Sequence, residues 1–206
     1  MCDKGRSMVE ILGVLAIVGV LSIGALAGFN QAMLKHRFNR QTEQLHTLFR
    51  ATIEHLNDLR FKESGNGGQY PLVYYLNALG EIPQDMIQGN VRKGSCCVYD
   101  TFKTTISIYY HDTDYLGFIF YLNQSDNSVQ VCRNIILSAQ NFEQDISYVR
   151  FRNDASDGSV AWSGGEYNFS GGRNNSKQLK NATIAQMDAA CRFCAEDRCL
   201  MYVMIK

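Results

Sequence analysis

The chain has 206 residues with 20 basic and 20 acidic side chains, so its formal net charge is zero. The length is sufficient for one domain with its own hydrophobic core. The neutral charge argues against a generally cationic nucleic-acid-binding protein. A local basic patch could still bind nucleic acid, but nothing in the sequence supports nucleic acid as a partner. Apolar residues concentrate in the first thirty positions, and the remainder has the composition of a water-soluble domain.

An uninterrupted uncharged stretch of nineteen residues spans positions 11–29. As a helix it would be about 28 Å long, close to the hydrocarbon thickness of a bilayer. The pattern therefore predicts one membrane-spanning helix. Lys4 and Arg6 precede it and favour an N-terminus that stays in the cytoplasm.

A single carboxylate, Glu10, stands at the start of this apolar stretch. Such a charge is costly in hydrocarbon and is usually functional there, although solvation at headgroup depth is the simpler explanation. The local string KGRSMVE places Gly5 after a basic residue and Glu10 five positions later. This spacing, followed by a long apolar helix, resembles the cleavage and methylation motif of type IV pilins and related pseudopilins.

The resemblance covers about residues 4–60 and implies specific roles for three residues. A prepilin peptidase would cut between Gly5 and Arg6 and methylate the new amino terminus. Glu10 would then pair with the free amine of a neighbouring subunit. The family usually carries Phe, Met or Leu where this chain has Arg6, so N-methylation of Arg6 stays open.

A rival interpretation uses the same segment as a secretory signal peptide. Its apolar core would end at a signal-peptidase site, Ala25-Leu26-Ala27, and release a soluble protein. Glu10 argues against this, because it places a charge where the apolar core should begin. The helical pattern also continues through the supposed cut.

After residue 29 the helix becomes amphipathic without a breaker. Its apolar side chains recur every three or four residues, at Leu45, Leu48, Phe49, Ile53, Leu56 and Leu59. The pattern predicts one helix over residues 7–60. It divides the chain into a leader (1–5), a membrane or filament-core half-helix (6–30), an amphipathic half-helix (31–63) and a globular region (64–206).

The globular region has the pattern of a mixed domain. β-Branched and aromatic runs predict strands at 104–110, 115–122, 129–132, 148–152 and 200–205. Short helices are predicted at 72–79, 135–146 and 183–192, the last with capping-box spacing from Thr183. The predicted class is α+β. The resemblance implies a type IV pilin-like fold: the long helix across a four-stranded antiparallel meander, with a disulfide-bounded C-terminal region.

Seven cysteines are present, and six of them remain if the leader carrying Cys2 is removed. An even set suits disulfides in an oxidising compartment better than zinc, whose structural motifs usually have two spaced pairs. Six cysteines allow fifteen connectivities. One hypothesis links a C-terminal cluster to three earlier cysteines, the full set being Cys96, Cys97, Cys132, Cys191, Cys194 and Cys199.

A weak calcium candidate lies at 153–158, where Asp154 and Asp157 supply carboxylates. The segment lacks EF-hand spacing, and its residues are also those of ordinary turns, which is the favoured explanation. No metal, cofactor or catalytic group is expected, because no nucleophile–base pair or phosphate loop is recognisable. The chain is therefore not expected to be an enzyme.

The expected function is that of a structural subunit polymerised into a type IV pilus-like filament serving adhesion, motility, DNA uptake or secretion. Expected partners are further copies, other pilins, the prepilin peptidase and a pilus or secretion assembly platform. The expected location is the inner membrane, single-pass, before assembly and an extracellular pilus or periplasmic pseudopilus afterwards. The alternatives are a pseudopilin of a type II secretion system and a membrane-anchored or secreted binding module that does not polymerise.

Overall fold

The computed structural model describes residues 8–59, 69–111, 115–122, 125, 127–153, 161–163, 177–192 and 199–206. The chain divides into two compact units, one ending at Asn39 and one beginning at Arg40. Helix α1 (Met8–Glu54) supplies all the described structure of the first unit and continues into the second. The prediction of a long N-terminal helix is confirmed. A turn at His55 separates α1 from a short helix, α2 (Leu56–Leu59).

The second unit combines helices and strands. Its strands are β1 (Gln69–Pro71), β2 (Cys97–Tyr99), β3 (Thr105–His111), β4 (Tyr115–Leu122), β5 (Ile146–Asn153), β6 (Ala161–Ser163), β7 (Lys177–Gln178) and β8 (Cys199–Ile205). Its further helices are α3 (Val73–Ala78), α4 (Ser128–Gln140) and α5 (Ile184–Arg192), with 3-10 turns at Gln84–Met86 and Leu179–Asn181. The α+β class is confirmed.

The described strands form one eight-stranded sheet in the order β1-β3-β4-β8-β5-β6-β7, and β2 pairs with β3. All pairs are antiparallel except β6 with β7. The expected four-stranded meander is wrong in topology, because the last strand inserts between β4 and β5. Residues far apart in the chain therefore become neighbours across the sheet centre.

The predicted strand at 129–132 is wrong. Those residues lie in helix α4, which also begins earlier and ends earlier than the helix predicted at 135–146. The buried positions of α4 explain the difference, because they recur with helical spacing. They are Ser128, Val131, Cys132, Ile135, Ile136, Ser138 and Ala139.

The core lies where the α1 residues of the second unit pack on one face of the sheet. Leu45 and Leu48 are fully buried, and the ring of Phe49 meets Phe118 edge-on with centroids 4.9 Å apart. Phe120 also approaches Phe49, at 6.4 Å. Phe118 and Phe120 are two apart on β4, so they share a face by strand alternation. The predicted packing of the amphipathic half-helix on a sheet is confirmed.

The capping box predicted for helix α5 is present. The amide of Gln186 donates to Thr183 Oγ1 at 3.4 Å, and the amide of Thr183 donates to Gln186 Oε1 at 3.1 Å. These reciprocal bonds satisfy amides that the first helical turn leaves without partners. They fix the start of α5, which leads toward β8.

Candidate assembly site

The first unit presents an apolar helix surface. Its large side chains are mostly exposed, for example Val9 at 76%, Leu21 at 66% and Phe29 at 61%. The most apolar eighteen-residue window of α1 has no part buried within the chain. Soluble proteins rarely expose so large an apolar surface to water. A surface of this kind usually contacts a membrane or another protein. It requires an apolar environment that the single chain does not supply.

Glycines interrupt the large side chains along this helix. A Cβ added to Gly13, Gly19, Gly24 or Gly28 would meet no atom within 4 Å. Gly24 and Gly28 are four apart and lie on the same helix face, where small residues allow close approach of a second helix. The helix surface therefore combines large apolar side chains with a groove at Gly24 and Gly28, where a second helix could pack closely.

Glu10 lies in the first turn of α1 and is exposed. A carboxylate there is favoured by the positive end of the helix dipole, which is a purely local explanation for its position. Within the uncharged stretch that follows, Ser22 satisfies its hydroxyl by donating to the carbonyl of Val18 at 2.7 Å. Among the described residues, Glu10 is thus the charged group that directly precedes the apolar stretch in the chain. Gly5 and Arg6 lie outside them.

Among the described residues, α1 is the helix that is long and apolar enough to cross a membrane. A cleaved signal sequence can have the same length and composition. No family model, curated protein or solved structure matches the chain. The roles of Gly5, Arg6 and Glu10 therefore depend on the motif and on the physical character of the helix.

A buried polar network anchors the part of α1 that belongs to the second unit. Gln41 donates from Nε2 to Asp100 Oδ2 at 2.5 Å and accepts from Asn134 Nδ2 at 2.8 Å. Gln44 donates to Asp85 Oδ2 at 2.9 Å. Gln41 and Gln44 are buried, so satisfied hydrogen bonds are needed to offset their desolvation. The network joins α1 to the 3-10 turn at Gln84–Met86, to the loop after β2 and to α4.

The two carboxyl groups of this network have opposite pKa shifts. A hydrogen bond from the Arg40 guanidinium, 2.8 Å from Asp85 Oδ2, is the main cause that lowers the pKa of Asp85. Burial raises the pKa of Asp100, although the amides of Thr104 and Phe102 donate to it and offset part of that rise. Asp85 is half-exposed, and Asp100 is buried.

Two disulfides connect described cysteines. Cys132 on α4 bonds to Cys191 on α5, which confirms a link from the C-terminal cluster to an earlier cysteine. Cys96 bonds to its neighbour Cys97, so the hypothesis that both bond to that cluster is wrong. Cys199 is also disulfide-bonded. Cys194 lies outside the described residues.

No group of three or more His, Cys, Asp or Glu side chains suited to a metal ion occurs in the described ranges. The weak calcium candidates Asp154 and Asp157 lie outside those ranges, and a calcium site there stays a prediction. Because Cys132 and Cys191 are bonded to each other, they are not thiolate ligands in this state.

The sheet face opposite the core carries a cluster that the sequence did not predict. Tyr109, Ile119 and Met204 are buried there, packed against Tyr148 and other partly buried side chains, Leu200 and Tyr202. Three strands contribute buried members, and Tyr109 donates from its hydroxyl to Met204 Sδ at 3.4 Å. Burial raises the pKa of Tyr109. Strand alternation indicated the two faces, but the neighbours of each residue depend on the insertion of β8.

Proposed function

We propose that this chain is a structural subunit of the type IV pilin class, cut between Gly5 and Arg6 by a prepilin peptidase and polymerised through α1. The observation that carries the proposal is the apolar surface of residues 11–29, exposed along its whole length and preceded by one carboxylate. A bilayer before assembly and neighbouring helices afterwards would each supply the apolar environment that this surface requires.

Glu10 gives the assembly its register in this proposal. Once packed among apolar helices, its carboxylate loses hydration, and an unpaired buried charge is strongly unfavourable. The amine released at Arg6 is the matching charge. A pair formed within one copy would not hold neighbouring helices at a fixed offset. Pairing between copies satisfies both groups and fixes the axial offset of adjacent helices.

The proposal includes location and partners. Before assembly the subunit would sit in an inner membrane with its N-terminus inside; afterwards it would belong to an extracellular pilus or a periplasmic pseudopilus. Other copies, other pilins, the peptidase and an assembly platform are the proposed partners. The polar network would hold the α1 residues of the second unit in place within the globular region.

Processing is tested by intact-mass measurement of the protein from cells with an active prepilin peptidase. The expected mass is that of residues 6–206, with or without one methyl group on Arg6. A mature terminus at Gly28 would establish signal-peptide release instead. Retention of residues 1–5 in such cells would rule out the pilin assignment.

Assembly is tested by substituting Glu10 with Gln and recovering filaments by shearing. We expect Glu10→Gln to remove the subunit from the filament fraction while the membrane fraction retains it. Glu54→Gln is the matched control, because Glu54 is an exposed carboxylate on the same helix, 3.8 Å from Arg50. It should assemble normally.

Two further outcomes separate the alternatives. Filaments that lack the wild-type protein altogether would favour a binding module that does not polymerise. If the protein is present but rare in purified filaments, it is a minor component or a pseudopilin, which imaging with a subunit-specific label would resolve. Normal assembly of Glu10→Gln would remove the proposed role of Glu10.

A further inference from the structure

The disulfide between adjacent residues Cys96 and Cys97 has no place in the assembly mechanism. Cys97 begins strand β2, where it pairs with Ser107 of β3, and Cys96 ends the preceding loop. That loop turns at Arg92–Ser95, where Ser95 donates its amide to the Arg92 carbonyl at 2.8 Å. Gly94 allows the turn through a positive φ of 92°.

The two described disulfides differ sharply in accessibility. Cys132 and Cys191 have 0% and 1% of their surface exposed. Cys96 is exposed, and Cys97 is partly buried. Thiol–disulfide exchange requires an attacking thiolate to reach a sulfur atom directly. The bond between Cys96 and Cys97 is therefore open to attack, and the bond between Cys132 and Cys191 is shielded.

The two bonds also differ in what they hold together. The entropy that a disulfide removes from the unfolded chain grows with the number of residues it encloses. Cys132 and Cys191 are 59 residues apart, whereas Cys96 and Cys97 are adjacent. Opening the adjacent pair releases almost no chain, and the ladder from β2 to β3 still holds Cys97. The bond is thus reducible without unfolding the domain.

We infer that Cys96–Cys97 is a redox-exchange site for dithiols, chemically separate from the structural disulfide of α4 and α5. A thiolate of the dithiol attacks Cys96 Sγ, forming a mixed disulfide and expelling the Cys97 thiolate. In the mixed disulfide, one sulfur of the dithiol is bonded to Cys96 Sγ. The second thiolate of the dithiol then attacks that first sulfur and expels the Cys96 thiolate. The dithiol leaves as a disulfide, and two electrons and two protons pass to the protein pair.

Two cationic side chains precede the pair in the same loop. Arg92 and Lys93 are both exposed. Cationic side chains attract an incoming thiolate and stabilise the thiolate that departs. After reduction two thiols remain on adjacent residues, an arrangement in which both sulfurs can bind one trivalent arsenic atom.

The test treats the full chain in mild detergent with increasing dithiothreitol, blocks free thiols with N-ethylmaleimide and maps them by peptide mass spectrometry. Cys96 and Cys97 should be labelled together at a reductant concentration roughly tenfold or more below that needed for Cys132 and Cys191. Phenylarsine oxide added after mild reduction and removal of the dithiothreitol should bind one per chain and prevent that labelling.

The control is the double variant Cys96→Ser, Cys97→Ser. It should fold normally, leave Cys132 and Cys191 unlabelled under mild reduction and bind no arsenical. Labelling of Cys132 and Cys191 at the same concentration as the adjacent pair would overturn the inference. So would labelling of Cys96 and Cys97 without any reductant, because the pair would then not be bonded. Filament assembly is not part of the readout, so failure here is distinct from failure of the proposed function.

Discussion

Gln41 on α1 donates a hydrogen bond to Asp100 across 2.5 Å, and both side chains are buried. The same Gln41 amide accepts from Asn134 on α4 at 2.8 Å, so both of its ends are engaged. Three elements distant in the chain therefore meet at one side chain. A buried polar network of this kind is stabilising only while each member keeps its partner.

Asp100→Ala should destabilise the globular unit by about 3 kcal/mol, because it removes the acceptor for Gln41 and for two loop amides. Asp100→Asn should cost about 1 kcal/mol, since its oxygen can still accept from the amides of Phe102 and Thr104. Urea denaturation of the full chain in detergent measures both. Equal losses for the two variants would show that the bonds from the amides of Phe102 and Thr104, which only Asp100→Asn retains, contribute nothing.

Asp100 should also make stability depend on pH. Its folded pKa is raised by burial, so between the unfolded and folded pKa values the folded state holds a proton that the unfolded state has released. The contribution of Asp100 to the free energy of unfolding is therefore largest at low pH, where its carboxyl is protonated in both states. It is lost as the pH rises through the folded pKa. Acidification from neutral pH should accordingly raise the stability of the wild type relative to Asp100→Asn. Urea midpoints across the acidic range test this, and a constant difference would contradict it.

Periodicity was enough to predict the elements that are long or strongly patterned. The apolar stretch predicted α1, the aromatic and β-branched runs predicted β3, β4 and β8, and Thr183 with Gln186 predicted the start of α5. Helix α4 was predicted only in part, because the helix was placed at 135–146 and residues 129–132 were assigned to a strand. Its buried positions from Ser128 to Ala139 follow helical spacing throughout, so a longer window would have favoured one helix.

Other features depend on contacts between distant segments, which periodicity does not encode. The insertion of β8 between β4 and β5 makes Met204 a neighbour of Gly117. The bond from Gln41 to Asp100 spans 59 positions of the chain. Six cysteines allow fifteen connectivities, and spacing did not distinguish those that pair Cys96 with Cys97 from the others. For the assembly site, sequence placed Glu10 before the apolar surface, and the structure adds that this surface is exposed.

Removing the disulfide between α4 and α5 should be costly. Cys132→Ser, Cys191→Ser deletes a link that encloses 59 residues, for which the chain-entropy argument gives about 4 kcal/mol. The ion pair between Arg133 and Asp188, 3.0 Å apart, still joins the helices but is partly exposed and contributes less. Urea denaturation should show this loss, whereas Cys96→Ser, Cys97→Ser should change stability by less than about 1 kcal/mol. Similar losses in the two double variants would contradict the argument.

Gly117 lies on β4 directly beneath the side chain of Met204. A Cβ at this position would collide with Met204 Sδ and would lie 2.9 Å from the carbonyl oxygen of Val203. Gly117→Ala should therefore destabilise the unit by about 2 kcal/mol through overpacking. The backbone carbonyl cannot retreat without distorting the ladder to β8, so relaxation is limited.

A double-mutant cycle identifies the collision. Met204→Ala alone should cost about 2 kcal/mol or more, because it empties a buried site. The double variant should lose about 1 kcal/mol less stability than the sum of the two single losses, because the new Cβ no longer meets the Met204 sulfur. The coupling is only partial, because the Val203 carbonyl still lies close to that Cβ. Urea denaturation of the four proteins gives the coupling. Strict additivity would mean that Met204 does not limit the size of residue 117.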